Sequence, residues 1–570
     1  MNKNNDTIKS ELGRLRKLFI MPDSPDKFIE FGNELLAMIH DFFQEKGGIH
    51  SSITLPELSK IFEESDLPDK PILIKDVLSE IKNKIIKHSV KVGSPYYIGH
   101  MTSAIPYFMI LLEMIIATLN QNQVKIETAK ASSFVEKEFV AWFHRLIFRR
   151  TDNFYKNNIQ NHKVALGSVT SDGTMANMTA LLVAREKAFP ADDVFPGVRN
   201  AGIEAALRYY GYTRAVILVS TRGHYSLRKS ASLLGIGEKN VISIPVDNNN
   251  RIDIDKLRHK IKKISRYRHN ARTKIMAIIG IAGTTETGNI DPLDELAEIS
   301  KEVGTHFHVD ACWGGSVLLV DEYRYLFSGI EKADSVSVDS HKLLYCPMSM
   351  GLALFRNEKD LCLTRHSSQY VIRKNSVDLG RFTIEGSRPF SCLKPWAALK
   401  ILGKEGYSIL FKQAKKSASN LKAMLDACGN FETFNVPELF ILIYRFIPKT
   451  VRDDLIVLKE LTLSGHDQEI KEITRTVKNI NRLINALNIK LHKSLRMDDS
   501  SFVSRTKLES TPYRPQQIVV LRAVLINPLT TRDILREIVS THNDIGLQLW
   551  EEFSPLYERI RSHINQYGWI

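Results

Sequence analysis

The chain has 570 residues, of which 43% are hydrophobic and 25% charged. That balance excludes a disordered or collagen-like protein, and the length exceeds what one simple core accommodates. Lysine and arginine outnumber aspartate and glutamate by 78 to 64, a net charge of +14, which raises nucleic acid, an anionic surface or an acidic small molecule as partners. The basic residues are interleaved with acids and carry no RNA-binding signature, so a basic nucleic-acid-binding protein is the alternative class and not the leading one.

The five cysteines, Cys312, Cys346, Cys362, Cys392 and Cys428, are odd in number and widely spaced, which fits neither a disulfide framework nor a zinc site and favours a reducing compartment. The N-terminus lacks an apolar signal core. The most hydrophobic run, Ile105 to Leu119, is interrupted by Glu113 and is shorter than the ~20 residues that span a bilayer. A cytoplasmic protein without membrane insertion is expected.

Residues 1 to about 90 read as helices broken by proline-containing turns, with Leu35, Leu36, Ile39, Phe42 and Phe43 at helical spacing. A turn, Gly93 to Ser103, then leads into the apolar Ile105 helix, whose polar continuation runs from Asn120 to Lys125. Such a polar cluster is usually a solvated cap, and it can also line a pocket.

From about residue 163, apolar strands alternate with helix-length segments: Ala215 to Ser220, Val241 to Pro245, Ile275 to Ile281, His306 to Asp310, Ser335 to Val338 and Gly351 to Phe355. Near-continuous apolar strands of this kind predict a mostly parallel sheet covered on both faces, with ligands beyond the strands' C-terminal ends. The chemistry-bearing residues fall there. Gly167 to Asn177 reads as a small-residue turn opening a helix over Met178 to Lys187, a place where free amides and the helix dipole favour an anion. His224 follows one strand, Gly283-Thr284-Thr285 another, and Asp310 ends a third. Lys342, with His341 beside it, sits at the polar corner after Ser335 to Asp339. Alone, Lys342 reads as a solvated surface charge, and His224 as one structural histidine among 17. Together, an amine that burial would deprotonate for attack on an aldehyde, and a carboxylate that could keep a pyridine nitrogen protonated, meet the needs of pyridoxal phosphate.

After about residue 395 the pattern changes to a helix over Lys415 to Cys428, a strand over Phe440 to Phe446, and a long polar helix with Ile470, Ile473, Val477, Ile480, Ile484 and Leu487 near helical spacing. Strands over Ser501 to Thr506 and Ile518 to Leu525 precede an amphipathic terminal helix. Three parts are expected: a helical N-terminal segment over 1–105 serving as a dimer arm, a large cofactor-binding domain over 106–395, and a small α+β domain over 396–570.

The order of phosphate turn, histidine, aspartate and lysine, together with Glu385-Gly-Ser-Arg-Pro389 and Val519 to Pro528, resembles the group II pyridoxal-phosphate-dependent amino acid decarboxylases of fold type I, the aspartate aminotransferase-like fold, from about residue 90 to the C-terminus. The resemblance implies a large domain with a mostly parallel seven-stranded sheet and a homodimer with shared active sites. It makes Lys342 the imine-forming lysine and Asp310 the partner of the pyridine nitrogen. His224 would stack on the ring, with Gly173 and Thr174 around the phosphate and His341, Thr284 and Ala311 packed near the cofactor. Arg522 would grip the substrate α-carboxylate, and Ser387 would reach the phosphate across the dimer. Many family members use a tyrosine on a mobile loop to protonate the substrate carbon. Here Val371 to Ser387 holds no tyrosine and Tyr370 lies just before it, which moves that task to His224 or another group. Within the family, Gly-His-Met-Thr-Ser, Leu-Asn-Gln-Asn and Ser-Phe-Val-Ser-Arg are most similar to the bacterial aspartate 1-decarboxylase branch. That implies release of carbon dioxide from L-aspartate to give β-alanine, a pantothenate precursor, with glutamate (giving γ-aminobutyrate) or cysteine sulfinate as the alternative substrate. His100, Asn122 and Lys125 are the candidates for an acidic side chain.

Overall fold

The structure is a computed structural model that describes residues 12–13, 15–45, 48–265, 272–367, 372–373, 376–464 and 467–569. The chain divides into two compact units, Met1–Gly93 and Ser94–Ile570. In the first, helices cover Phe28–Gln44, Leu55–Ile61 and Ile74–Glu80. Thr54 and Glu57 form a reciprocal capping box at the start of the second, satisfying amides that the first turn leaves open. The apolar stripe read in the sequence is present on the Phe28–Gln44 helix, where Leu35, Leu36 and Phe43 are exposed.

The second unit is organised by two sheets. The larger joins β1 (Gly167–Thr170), β2 (Arg214–Ser220), β3 (Val241–Ile244), β4 (Thr273–Ile281), β5 (His306–Asp310), β6 (Ser335–Asp339) and β7 (Gly351–Phe355) in the order β1-β7-β6-β5-β4-β2-β3. Within this sheet only β7 runs against its neighbours. β5 and β6 are buried along their whole length, as expected for strands covered on both faces. The register sets Ile281 beside Asp310 and Asp310 beside Ser337, so the C-terminal ends of β4, β5 and β6 finish at one edge.

One local expectation is corrected. Gly167 to Thr170 is not part of the turn but strand β1, because Val169 and Thr170 pair with Leu352 and Gly351 of β7. The helix that follows begins at Gly173 rather than near Met178, since Asp172 accepts the Met175 amide as its N-cap.

The smaller sheet is antiparallel, with β8 (Phe431–Thr433), β9 (Ile441–Phe446), β10 (Ser504–Leu508) and β11 (Ile518–Val524) in the order β10-β11-β9-β8. β10 begins three residues later than the sequence pattern suggested, at the positions that pair with Arg522 to Ile518. Ile473, Ile480, Ile484 and Leu487 of the Asp467–Asp498 helix are buried in the same core as Leu442, Tyr444 and Leu521 of this sheet.

Candidate active site

A cavity of about 240 Å³ opens at the C-terminal edge of the large sheet and is lined by residues from five strand ends. β1 leads to Asp172, Gly173 and Thr174, β2 to Arg222 and His224, and β4 to Gly283 and Thr285. β5 supplies Asp310 and Cys312, and β6 supplies Asp339, His341 and Lys342. His100 joins them from the turn that precedes the Tyr107–Leu119 helix.

The amides of Gly173 and Thr174 belong to a helical first turn, where no intrahelical acceptor exists. A side chain at 173 has no room: a Cβ would lie 2.6 Å from Cys312 Sγ and 2.7 Å from Asp339 Oδ2. The glycine therefore keeps open the space above that turn, a cradle suited to a phosphate.

Asp310 is held from three sides. Its Oδ2 accepts from Asn177 Nδ2 at 3.0 Å, its Oδ1 accepts from the Cys312 amide at 3.2 Å, and Ser337 Oγ lies 3.5 Å from Oδ1. Burial alone would raise its pKa, yet His224, Lys342, His308 and the Cys312 amide hold the carboxyl below its ordinary value. It thus presents an anion to the cavity. Asn177 is fixed in turn, since its Oδ1 accepts from Ser337 Oγ at 2.7 Å and from His308 Nε2 at 3.0 Å.

The network continues to His224. Asn177 Nδ2 also donates to Ser226 Oγ at 3.2 Å, and that hydroxyl lies 2.8 Å from His224 Nδ1, which accepts the Ser226 amide at 3.3 Å as the cap of the Tyr225–Leu233 helix. With Nδ1 an acceptor, the neutral ring carries its proton on Nε2. Burial lowers the His224 pKa, so the neutral form extends to more acidic pH.

Lys342 departs from the sequence expectation. Burial does pull its pKa down, but Asp339 Oδ2 lies 2.9 Å from Nζ and, with Cys312 and Asp310, raises the pKa above the ordinary lysine value. The amine is therefore held as an ammonium until Asp339 releases it. Asp339 was not singled out in the sequence. The signal was available in its position at the end of β6, three residues before the lysine.

Other sequence candidates lie at the cavity's borders or away from it. Arg522 on β11 donates from Nη1 to Thr285 O at 2.8 Å and approaches Gly99 O with Nη2 at 3.4 Å, beside two lining segments. Thr284 does not line the cavity, because its hydroxyl pairs with Thr287 Oγ1 at 2.7 Å inside its own turn; Gly283 and Thr285 line it instead. Ala311 is fully buried next to Asp310 and is not a lining residue either. Asn122, Lys125 and Ser387 form a separate group that does not line the Lys342 cavity of the same chain. Asn122 Nδ2 donates to Ser387 Oγ at 3.0 Å, and Lys125 pairs with Glu127. Tyr370 and Val371 lie outside the described residues.

What this edge suits is an aldehyde cofactor carrying a phosphate and a basic ring nitrogen: an amine for the first, a glycine-opened helix end for the second and a buried anion for the third. The chain belongs to the pyridoxal-dependent decarboxylase family, whose conserved domain matches residues 56–447. It is similar to the aspartate 1-decarboxylase of Aliivibrio fischeri, at 37% identity over 546 residues covering 96% of each chain. An L-2,4-diaminobutyrate decarboxylase of Acinetobacter baumannii is 25% identical over 447 residues, 72% of this chain and 82% of that one. Among solved structures, the glutamate decarboxylase domain of diaminobutyrate-pyruvate transaminase and L-2,4-diaminobutyrate decarboxylase from Vibrio parahaemolyticus shares the fold with a TM-score of 0.74, at 21% identity over 94% of this chain and 99% of that one. The protein is a pyridoxal-phosphate-dependent amino acid decarboxylase of fold type I, and the expectation of that fold, cofactor and enzyme class is borne out.

Proposed function

We propose that the chain removes the α-carboxylate of L-aspartate to give β-alanine. The observation that carries this reading is the near-full-length likeness to the aspartate 1-decarboxylase of A. fischeri. Bound at the cavity, pyridoxal phosphate supplies an aldehyde for an amine and an electron sink for the carbanion left by carbon dioxide.

The chain's own residues then take these roles. Gly173 and Thr174 hold the phosphate with first-turn amides, and His341 borders the same space. Asp310, anionic and fixed by Asn177, keeps the ring nitrogen protonated. Lys342 provides the amine once Asp339 gives it up. Thr284 and Ala311 act from behind the wall, fixing the turns that carry Gly283, Thr285 and Asp310. Arg522 takes the α-carboxylate with the part of its guanidinium not engaged by Thr285 and Gly99, and this orients the bond to be broken. His224 would stack on the ring and, in its protonated form, would deliver the proton to the substrate carbon in a chain whose Val371 to Ser387 stretch has no tyrosine. His100 contributes a further donor at the cavity's edge. Burial and the charges of Arg522, Lys342 and His341 lower its pKa, so it donates as a neutral ring.

A homodimer with shared sites is part of the proposal. The Tyr107–Leu119 helix exposes Tyr107, Leu111, Met114, Ile115 and Leu119 at one-face spacing, an apolar stripe suited to a second copy. That helix leads directly to Asn122 and Lys125, which with Ser387 would complete the cavity of the other copy. The 1–105 segment as dimer arm, 106–395 as cofactor domain and 396–570 as small domain belong to the same reading. So does a cytoplasmic location, supported by five free cysteines. Among the described residues no helix is long and apolar enough to cross a membrane.

The test is a parallel assay of the pyridoxal-phosphate-loaded protein with aspartate, glutamate, cysteine sulfinate, 2,4-diaminobutyrate and an aromatic amino acid. Aspartate should be turned over with the highest kcat/KM. A preference for the diamine or the aromatic substrate would reject the acidic reading.

A further inference from the structure

One guanidinium in the cavity has no role in the scheme above. Arg222 follows β2, lies two residues before His224 and lines the same cavity as Lys342 and Asp310, with 5% of its surface exposed. Its Nη2 is anchored on the side of the small domain, to Asn250 Oδ1 at 3.2 Å, Ser510 Oγ at 3.0 Å and Glu509 Oε2 at 3.2 Å. Its Nε is buried without a hydrogen-bond partner, and among the described residues Nη1 makes no hydrogen bond. The guanidinium is thus fixed through Nη2, with Nη1 left free to donate to an anion in the cavity it lines.

Glu286 connects this group to Arg522. It lies on the Gly283–Gly288 turn, next to the Thr285 carbonyl that Arg522 grips, and its Oε2 is buried without a partner. Burial raises its pKa, while Arg222 and then Arg522 pull it back, so the carboxyl feels both guanidiniums. Arg222 lines the cavity and Arg522 borders two of its lining segments, an arrangement that suits a ligand carrying two carboxylates a few bonds apart. A strictly structural strut between β2 and the β10–β11 turn would use Nη2 and leave no reason for a free Nη1 at the cavity wall.

We propose that Arg222 is the specificity-determining residue for the substrate side chain: its free Nη1 donates to the distal carboxylate of an acidic amino acid whose α-carboxylate is held by Arg522. The assignment rests on the acidic-substrate reading above.

The test reads binding, not turnover. Succinate and propionate, which differ by one carboxylate, are titrated into the pyridoxal-phosphate-loaded enzyme and followed by the change in cofactor absorbance. A second charge-assisted contact should make succinate bind more tightly by on the order of tenfold. Arg222→Gln should abolish that preference while leaving propionate binding and the cofactor spectrum unchanged, and Arg522→Gln should weaken both ligands. Should R222Q fail to hold cofactor, R222K is read instead: a charge without the fork should keep part of the preference. A wild type with no preference for succinate overturns the acidic-substrate reading and this assignment with it. A wild-type preference that R222Q, or R222K in its place, retains in full overturns the Arg222 assignment alone.

Discussion

Gly173→Ala is a small change with an expected sign opposite to intuition. Position 173 opens the Gly173–Ala188 helix, where alanine is intrinsically favoured over glycine by up to ~1 kcal/mol. The added methyl would sit 2.6 Å from Cys312 Sγ and 2.7 and 3.0 Å from the two Asp339 carboxylate oxygens. The comfortable separation is ~3.5–4.0 Å, so the overlap is about 1 Å. Cys312 and Asp339 are short side chains, 6% and 2% exposed, following β5 and ending β6, and have no flexible end to swing away. Overpacking of this kind costs roughly 1–3 kcal/mol, which exceeds the helix gain. Displacing Asp339 also disturbs the 2.9 Å contact with Lys342, and moving the first turn disturbs the phosphate cradle. The variant should therefore melt lower by about 1–2 °C and bind pyridoxal phosphate about tenfold more weakly, the equivalent of ~1.4 kcal/mol. Thermal scanning and equilibrium dialysis read the two effects. Adding Cys312→Ala removes the nearer clash but not the carboxylate, so the double variant should recover only in part. A G173A protein at least as stable as wild type, with unchanged cofactor affinity, would refute the packing argument.

The remaining expectations concern the site and the core. Lys342→Ala should abolish turnover and the visible imine absorbance while leaving the fold intact by circular dichroism; retained turnover would remove Lys342 from its role. Arg522→Lys keeps the charge but loses the planar fork, so KM for the amino acid should rise by roughly tenfold with cofactor affinity unchanged. Mixing Lys342→Ala chains with Asn122→Ala/Lys125→Ala chains, each impaired alone, should restore about a quarter of wild-type activity if two copies share each site; no recovery after subunit exchange would mean that each chain is self-sufficient. Acid stability follows from four buried histidines. Burial lowers His144 and His308 to about 4 and His306 and His542 to about 3. Because these folded values lie below the ordinary ~6.5, the unfolded chain binds the extra protons, and the stability each histidine contributes is complete above that pH and is lost as pH falls through the folded value. Each withdraws up to ~1.4 kcal/mol per pH unit, so the melting temperature should be flat from pH 7 to 8 and fall steeply below about 6. A flat profile down to pH 4 would contradict it.

Much of the site was legible because it sits where one-dimensional pattern and three-dimensional position coincide. Asp310, Lys342 and His224 each stand at or just past the end of an apolar strand, and parallel register brings such ends together wherever the strands fall in the sheet order. What the sequence did not disclose depends on pairing and direction. Strand β1 is only four residues long and is defined by its antiparallel partner β7, so a string of small residues looked like a turn. Thr284 has the right neighbours, but its hydroxyl points into its own turn, a choice set by Thr287 and not by the strand pattern. The proton on Lys342 is decided by Asp339, a contact of 2.9 Å that reverses the effect of burial. Asn122 and Lys125 were read as pocket residues and Ser387 as reaching across a dimer; none of the three lines its own chain's cavity, which is intelligible if a second copy is needed.

The central claim is loss of the α-carboxylate from an acidic amino acid, and aspartate tests it without ambiguity because its two carboxylates leave different products. Purified, pyridoxal-phosphate-loaded enzyme given L-aspartate should yield β-alanine by proton NMR, with carbon dioxide released in equal amount. α-Alanine would mean that the side-chain carboxylate departs instead, and no product from aspartate alongside turnover of another amino acid would contradict the substrate assignment.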